Sequence, residues 1–185
     1  MARPLDAATK GRLAQGAQRL FSFPDPVNEV AARIVAAGVV IMAVVGIVVS
    51  PWAIVALAYG FGARVLTGPT LSPLGQLATR VGVPLLGLEP RPTPGPPKRF
   101  AQGIGAAFSF AALFTWAAAG WPVGRWILVP LCVAAFLETA LNLCLGCRIF
   151  SLLMAHGVIP KTVCPQCADL SRRHRQLART NNEAI

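Results

Sequence analysis

Long stretches without charge dominate the middle of the chain and predict helices that span a membrane. Residues 34–63 contain no Asp, Glu, Lys or Arg. A helix rises about 1.5 Å per residue, so roughly 20 residues cross the hydrocarbon core of a bilayer. Because Pro51 lacks a backbone donor and disfavours helix in the residue before it, we predict two helices, over about 31–49 and 52–67. Arg64 is expected to reach back to the membrane surface from the end of the second helix.

A second uncharged stretch, residues 100–124, predicts a third helix that stops near Gly120. A fourth is predicted from Trp126 to Cys147, with one acid, Glu138, inside it. The Pro-rich stretch 90–97 is expected to be an extended linker rather than helix. The long apolar runs lack the alternation of a membrane β-barrel, so the predicted fold is all-α, an integral membrane four-helix bundle of two helical hairpins.

The two hairpins suggest an internal repeat. At one constant offset Pro51 aligns with Pro122, and Leu74-Gly75 aligns with Leu145-Gly146. Each half then reads as a span, a proline turn, a second span and a break at small residues.

Composition supports the membrane assignment. Apolar residues make up 55% of the 185-residue chain, charged residues only 13%, and the mean hydropathy is +0.58. Soluble domains carry about 25% charged residues, and disordered chains are less apolar still. The composition therefore argues against a soluble globule and against a disordered chain.

The distribution of positive charge predicts the orientation. Of the 17 Lys and Arg residues, all but Arg125 fall in the first 33 residues, in residues 64–99 or after the predicted fourth helix. Positively charged loops stay in the cytoplasm, so we predict a multi-pass membrane protein with both termini cytoplasmic. The first apolar stretch begins after Glu29, so helix one is expected to stay as an anchor. The tryptophans expected at the opposite interface are Trp52, Trp121 and Trp126.

These features divide the chain into five predicted regions. Short interfacial helices are expected within 5–22 and 71–88, where apolar side chains recur on one helical face. The regions are a cytoplasmic amphipathic segment at 1–30, hairpin 1 at 31–67, a cytoplasmic Pro-rich connection at 68–99, hairpin 2 at 100–147 and a cytoplasmic, basic, Cys-containing tail at 148–185.

The net charge of +10 calls for an anionic partner. The basic residues border the membrane, where anionic lipid head groups attract each of them by about 1 kcal/mol. The densest cluster, residues 171–175, has no aromatic residues to stack on bases, so lipid rather than nucleic acid is the expected partner. Transport would require several copies to form a pore, and assembly into a homo-oligomer is left open.

Four of the five cysteines form two C-x2-C pairs, Cys144 with Cys147 and Cys164 with Cys167. Sixteen residues lie between the pairs, inside the zinc-site window of about 15–20. Two such turns can supply four thiolates to a tetrahedral zinc ion, and cytoplasmic thiols stay reduced. The leading prediction is therefore a zinc site, with iron as the second choice of metal, in a membrane scaffold or docking module. The sequence carries no nucleotide or flavin signature.

Two alternatives to the metal site remain. C-P-x-C is also an active-site motif of thioredoxin-like folds, so thiol redox chemistry or sulfur transfer by these pairs is the alternative. The first pair can also be simple packing one turn apart on helix four. Cys132 is expected to pack within its helix, and His156 and His174 are expected at the surface.

Glu138 is the second candidate site. An acid within a membrane helix is functional by default, and Asn142 lies one turn further on, so the two predict an intramembrane polar pair. On an unbroken helix Cys147 would point away from Glu138. We therefore expect an interhelix contact to Ser109 or Thr115 rather than a metal ligand, with proton relay as the alternative.

Three segments resemble a bacterial family of small four-helix membrane proteins, domain of unknown function 4395. The segments are Pro97-Lys98-Arg99-Phe100-Ala101-Gln102, Cys144-Leu145-Gly146-Cys147-Arg148 and Gly157-Val158-Ile159-Pro160. The resemblance covers roughly residues 24–170 and implies a four-helix membrane fold with a Cys-Leu-Gly-Cys signature, without an established activity. Some members are encoded beside thioredoxin-like or rhodanese-like proteins, which the resemblance implies as partners and which favours sulfur chemistry.

Overall fold

The computed structural model describes residues 23–87 and 89–167 and is mostly helical, at 78%. The predicted N-terminal helix within 5–22, the basic cluster 171–175 and His174 lie outside these residues. The elements in chain order are β1 (Val27–Asn28), α1 (Glu29–Val48), α2 (Trp52–Thr67), α3 (Pro73–Leu77), a π-helical turn (Ala78–Gly82), α4 (Val83–Leu85), β2 (Pro92–Thr93), α5 (Gly95–Ala119), α6 (Trp121–Leu141), α7 (Leu145–Ala155) and a 3₁₀ turn (Lys161–Val163).

Three of these helices, α1, α5 and α6, are long and apolar enough to cross a membrane. The apolar helix α2 has 16 residues and is shorter than these candidates. The predicted bounds of α1 and α2 are confirmed to within two residues, because the uncharged stretch and Pro51 define both helices. The predicted end of the third helix near Gly120 is also confirmed, since Gly120 adopts a positive φ of 81° between α5 and α6.

The prediction that residues 90–97 exclude helix is wrong. Pro92–Thr93 pairs antiparallel with Val27–Asn28, and α5 begins at Gly95, five residues earlier than expected. The first N–H groups of a helix have no intrahelical acceptor, so proline is tolerated in the first turn. The Gly95 N–H instead donates to Asp25 Oδ1 at 3.0 Å.

The predicted fourth helix, Trp126 to Cys147, is wrong at both ends. Proline in the first turn allows α6 to begin at Trp121, directly after Gly120. The helix ends at Leu141 because Asn142 adopts the left-handed conformation, with φ 54°, and its N–H donates to the Leu137 carbonyl. Asparagine is one of the few residues that tolerates this conformation at a helix end.

The four longest helices share one core. α5 packs against α2 and α6, and α6 packs against α1. Ala43, Ile54 and Leu128 lie at its centre and are fully buried. Large apolar side chains also cover the outside, among them Phe114 at 69% and Phe136 at 56% exposure. An apolar exterior over an apolar core suggests association with a membrane.

The segment predicted to be helical within 71–88 does form short helices, α3, the π-helical turn and α4. Leu74 packs against the core, and Ala78 is buried. Both halves of the described chain therefore show the same order of elements, two longer apolar helices followed by a short helix. The internal repeat itself stays a prediction.

Candidate functional site

The first cysteine pair lies at the start of α7, immediately after the break at Asn142. Cys144 is the N-cap of this helix and has an extended backbone, and its Sγ accepts the backbone N–H of Cys147 at 3.4 Å. The Arg148 N–H donates to the Cys144 carbonyl, which begins the helical hydrogen bonding. The break after α6 thus places both sulfurs at a helix N-terminus, where the helix dipole favours negative charge.

The two sulfurs are in direct contact. Cys147 Sγ donates to Cys144 Sγ across 2.7 Å, compared with about 2.05 Å for a disulfide bond. This hydrogen bond lowers the pKa of Cys144. Burial and the Glu138 carboxylate oppose that shift, and the charge of Lys98 and the Cys147 backbone N–H add to it. The same hydrogen bond, together with burial, raises the pKa of Cys147. Cys144 is therefore the sulfur that ionises first.

The second pair forms a disulfide between Cys164 and Cys167, which differs from the expectation that the cysteines of this tail are reduced thiols. Cys164 is 3% exposed and packs beside Phe150 and Met154 on the α7 side of the molecule. Within residues 23–87 and 89–167, no group of three or more His, Cys, Asp or Glu side chains is arranged to hold a metal ion. The four predicted zinc ligands are thus described as two pairs, and the zinc site stays a prediction.

Glu138 is bound by a residue that the sequence did not single out. Lys98 Nζ, in the first turn of α5, lies 2.6 Å from Glu138 Oε1 in the last turn of α6. The side chains are 7% and 19% exposed, respectively. Ser109, one of the expected partners, donates instead to the Gly105 carbonyl of its own helix. Asn142 is exposed at the helix end, and the structure does not pair it with Glu138 in the part of the chain it describes.

Glu138 and Cys144 line the same cavity, although an unbroken helix would have directed the cysteine pair away from the acid. The cavity has a volume of about 240 Å³, lies between α1, α5, α6 and α7, and is otherwise mostly apolar. Because the left-handed Asn142 turns the chain, the first sulfur faces back toward the last turn of α6. The Lys98–Glu138 pair therefore stands beside the cysteines at the same end of the bundle.

Gly146, between the two cysteines, allows α7 to approach α5 closely. A Cβ atom at this position would lie 2.6 Å from the Ala101 Cα, a distance that real Cβ atoms do not show. α7 packs mainly against α5, and Phe150 contacts Phe100 with ring centroids 5.6 Å apart. The middle of the Cys-Leu-Gly-Cys segment is thus a helix contact as well as a spacer between sulfurs.

Arg64 is buried, and the expectation that it extends to the membrane surface is wrong. Its side chain is 4% exposed, and its Nε donates to Gln102 Oε1 at 2.9 Å. The guanidinium Cζ lies 4.4 Å above the centre of the Phe61 ring. The sequence does contain a signal for this burial. Phe61 is close to Arg64 in the chain, and Gln102 is a polar residue in an otherwise apolar stretch. Both are partners that an arginine at the surface would not need.

Two further predictions concern single residues. Cys132 is partly buried and packs against the core, as predicted. His156 is exposed, also as predicted.

A family model described as a domain of unknown function (DUF4395) matches residues 27–155. The matched segment contains Cys144 and Cys147 and ends before Cys164. No curated protein and no solved structure is detectably similar to the chain.

Proposed function

The chain belongs to the DUF4395 family, whose function is unknown, and from the cysteine geometry we propose that it is a membrane thiol–disulfide exchange protein working through Cys144 and Cys147. The observation that carries the proposal is the 2.7 Å contact between these sulfurs at the N-terminus of α7. Thiolates are stabilised at helix N-termini and beside lysine, and Lys98 is near both sulfurs. The pair also lies within the residues matched by the family model, unlike the second pair.

The exchange has two steps. Cys144 thiolate attacks one sulfur of a partner disulfide, forms a mixed disulfide and releases the other partner sulfur as a thiolate. Cys147 then loses its proton to that thiolate and attacks the Cys144 sulfur, which releases the second partner sulfur. The partner gains two electrons and ends as a dithiol, and the protein ends with a Cys144–Cys147 disulfide. A thioredoxin-like protein is the kind of partner that this chemistry fits.

The Lys98–Glu138 pair acts on Cys144 in two directions, because the Glu138 carboxylate raises the pKa of this thiol and the Lys98 ammonium lowers it. A lysine beside a thiolate favours the ionised sulfur, and the nearby carboxylate keeps the lysine charged. Both side chains approach the cysteine pair from outside α7, one from α5 and one from α6. We therefore assign them as positioning residues that set the charge of the sulfur without reacting themselves.

The proposal predicts different fates for single serine variants mixed with oxidised glutathione. Cys147→Ser should accumulate a mixed disulfide on Cys144, because no second thiol is available to resolve it. Wild type should pass on to an internal disulfide, and Cys144→Ser should form neither product at a comparable rate. The double variant Cys164→Ser/Cys167→Ser is the matched control and should behave as wild type. Intact-protein mass spectrometry and thiol counting measure all four.

The same preparations distinguish the zinc scaffold from the exchange protein. A four-cysteine site would bind close to one zinc per chain and lose it when any one of the four cysteines is replaced. Stoichiometric metal, with no mixed disulfide from Cys147→Ser, would contradict the exchange function. It would support the metal-stabilised docking module instead.

We also propose that the chain spans the bacterial plasma membrane four times, as two hairpins, with both termini in the cytoplasm. Lys98 and Arg99 lie at one end of α5, and Trp116 lies at the other. Trp52 packs against Trp116 with ring centroids 5.7 Å apart, which extends the aromatic end to α2. Tryptophan is typical of membrane interfaces and positive charge of the cytoplasmic side, so the cysteine end would face the cytoplasm.

Cysteine labelling tests this orientation. With the native cysteines replaced by serine, Ala119→Cys should react with an impermeant maleimide on intact cells. Glu89→Cys should react only after the cells are permeabilised, because it lies in the connection between the hairpins. Both positions are exposed in the folded chain, so access is matched. Labelling of Glu89→Cys alone on intact cells would reverse the orientation.

A further inference from the structure

We propose that a second cavity, named here the Arg64 cavity, binds a phosphate group, either free or as the head group of an anionic lipid. It lies among the start of α1, the end of α2, α3 and the start of α5, and its polar lining includes Arg64, Lys98 and Gln102. The cavity adjoins the one lined by Cys144 and shares Ala32, Val35 and Gln102 with it, but the inference does not depend on thiol exchange.

The size of the Arg64 cavity limits what can enter it. Its volume is about 190 Å³, below the roughly 300–1,000 Å³ of pockets for drug-sized ligands. The rest of the lining is mostly apolar and includes Pro26, Val27 and Ala31. Such a space suits a small head group more than an extended polar molecule.

The charge within the cavity is unbalanced. Arg64 is 4% and Lys98 6% exposed, so both cations are removed from bulk water. In the described part of the chain, Lys98 forms a salt bridge with Glu138, and Arg64 forms none. Two buried cations against one carboxylate leave an excess positive charge, and buried charge is costly unless it is paired. An anion in the cavity would supply the missing charge.

The hydrogen-bond donors around this charge also remain available. Arg64 Nε donates to Gln102 Oε1, and Nη1 makes a long contact of 3.4 Å to Ser72 Oγ. Among the described residues, Nη2 of Arg64 makes no hydrogen bond. Gln102 accepts with its carbonyl oxygen, which leaves its amide N–H groups to donate. Lys98 donates one of its three N–H groups to Glu138, which leaves two N–H groups to donate.

These donors favour phosphate over other anions. A guanidinium binds two oxygens of a phosphate in parallel, and an ammonium acts as a compact second charge. The amide of Gln102 adds a neutral donor on the same helix as Lys98, one turn further on. Phe61 holds the guanidinium over its ring, with Cζ 4.4 Å from the ring centre. Three donors from two helices match the several oxygens of one phosphate.

The test compares Arg64→Gln with Arg99→Gln in the full chain, purified in neutral detergent. Arg99 is exposed, donates to the Val65 carbonyl at 3.1 Å and does not itself line the cavity, so its replacement removes the same charge from the same end of the protein. Its one contact with the lining is with the apolar Phe23 ring, at 5.8 Å, which supplies no hydrogen-bond donor to an anion. One arm measures the melting temperature in inorganic phosphate against chloride at equal ionic strength. The other arm measures binding to nanodiscs or vesicles of phosphatidylglycerol against phosphatidylcholine.

Wild type and Arg99→Gln should respond to phosphate or to phosphatidylglycerol, with at least tenfold tighter binding than Arg64→Gln. A response in the first arm alone identifies free phosphate, and a response to phosphatidylglycerol identifies the lipid head group. If Arg64→Gln does not fold, Gln102→Leu decides the question, since it retains both cations and should still weaken binding severalfold. No response by wild type in either arm, or equal losses in the Arg64 and Arg99 variants, would overturn the proposal.

Discussion

Replacement of Glu138 by Gln is expected to lower the free energy of unfolding by about 3 kcal/mol, because it leaves the Lys98 ammonium buried without its counter-charge. The two side chains are 7% and 19% exposed, so water can screen the remaining charge only in part. A neutral acid in an interhelix hydrogen bond would predict a loss of only about 0.6 kcal/mol. The two values are far enough apart to be separated by reversible unfolding in mixed micelles.

The double variant Lys98→Met/Glu138→Leu is the matched control. It removes both charges and keeps most of the buried volume, so it should recover most of the stability that Glu138→Gln loses. Such recovery is the behaviour expected when an unpaired buried charge, rather than a lost contact, causes the damage. A Glu138→Gln protein within 0.5 kcal/mol of wild type would contradict the ion pair, and so would a double variant less stable than either single one.

Gly146→Ala and Gly103→Ala should change stability in opposite directions. Both glycines lie in helices, and alanine favours a helix over glycine by about 0.5–1 kcal/mol. At Gly103 nothing lies within 4 Å of the added methyl group, so the free energy of unfolding should rise by about that amount. At Gly146 the methyl group meets the Ala101 backbone, and overpacking costs about 1–3 kcal/mol, so the net effect should be a loss of about 1–2 kcal/mol.

The same pair of variants reports on the site. If α7 moves away from α5 in Gly146→Ala, the sulfurs separate from Lys98, and the reaction of Cys144 with oxidised glutathione should slow. Gly103→Ala should keep the wild-type rate. Equal stability of the two variants would mean that α7 does not pack on α5 through Gly146.

Hydropathy predicts the helices well wherever an element is decided by many residues together. The bounds of α1 and α2 follow from a long uncharged stretch and one proline, and neither requires knowledge of distant contacts. The end of α6 depends on a single residue inside an apolar stretch, Asn142, which adopts the left-handed conformation. Hydropathy does not describe backbone conformation, so it does not predict this end. The start of α5 lies before its predicted position, because proline excludes helix in the interior but is tolerated in the first turn.

The site could be predicted only in part, because its decisive contacts join distant parts of the chain. The cysteine pairs are visible as local motifs, but Lys98 and Glu138 are 40 residues apart and Arg64 and Gln102 are 38 apart. By sequence alone Arg64 and Lys98 read as membrane-surface charges, since their neighbours in space are not their neighbours in the chain. Spacing alone also placed four cysteines in one site, whereas the described structure keeps them as two pairs.

The capping role of Cys144 has a consequence for how any variant at this position should be interpreted. Its sulfur accepts the N–H of Cys147, so one atom both begins α7 and carries the proposed chemistry. Serine is a favoured N-cap residue and alanine is a poor one. Cys144→Ser therefore removes the nucleophile while preserving the start of the helix, whereas Cys144→Ala removes both. Only the serine substitution therefore tests the reactivity of the sulfur separately from the start of α7. An alanine scan of this family would remove both at once.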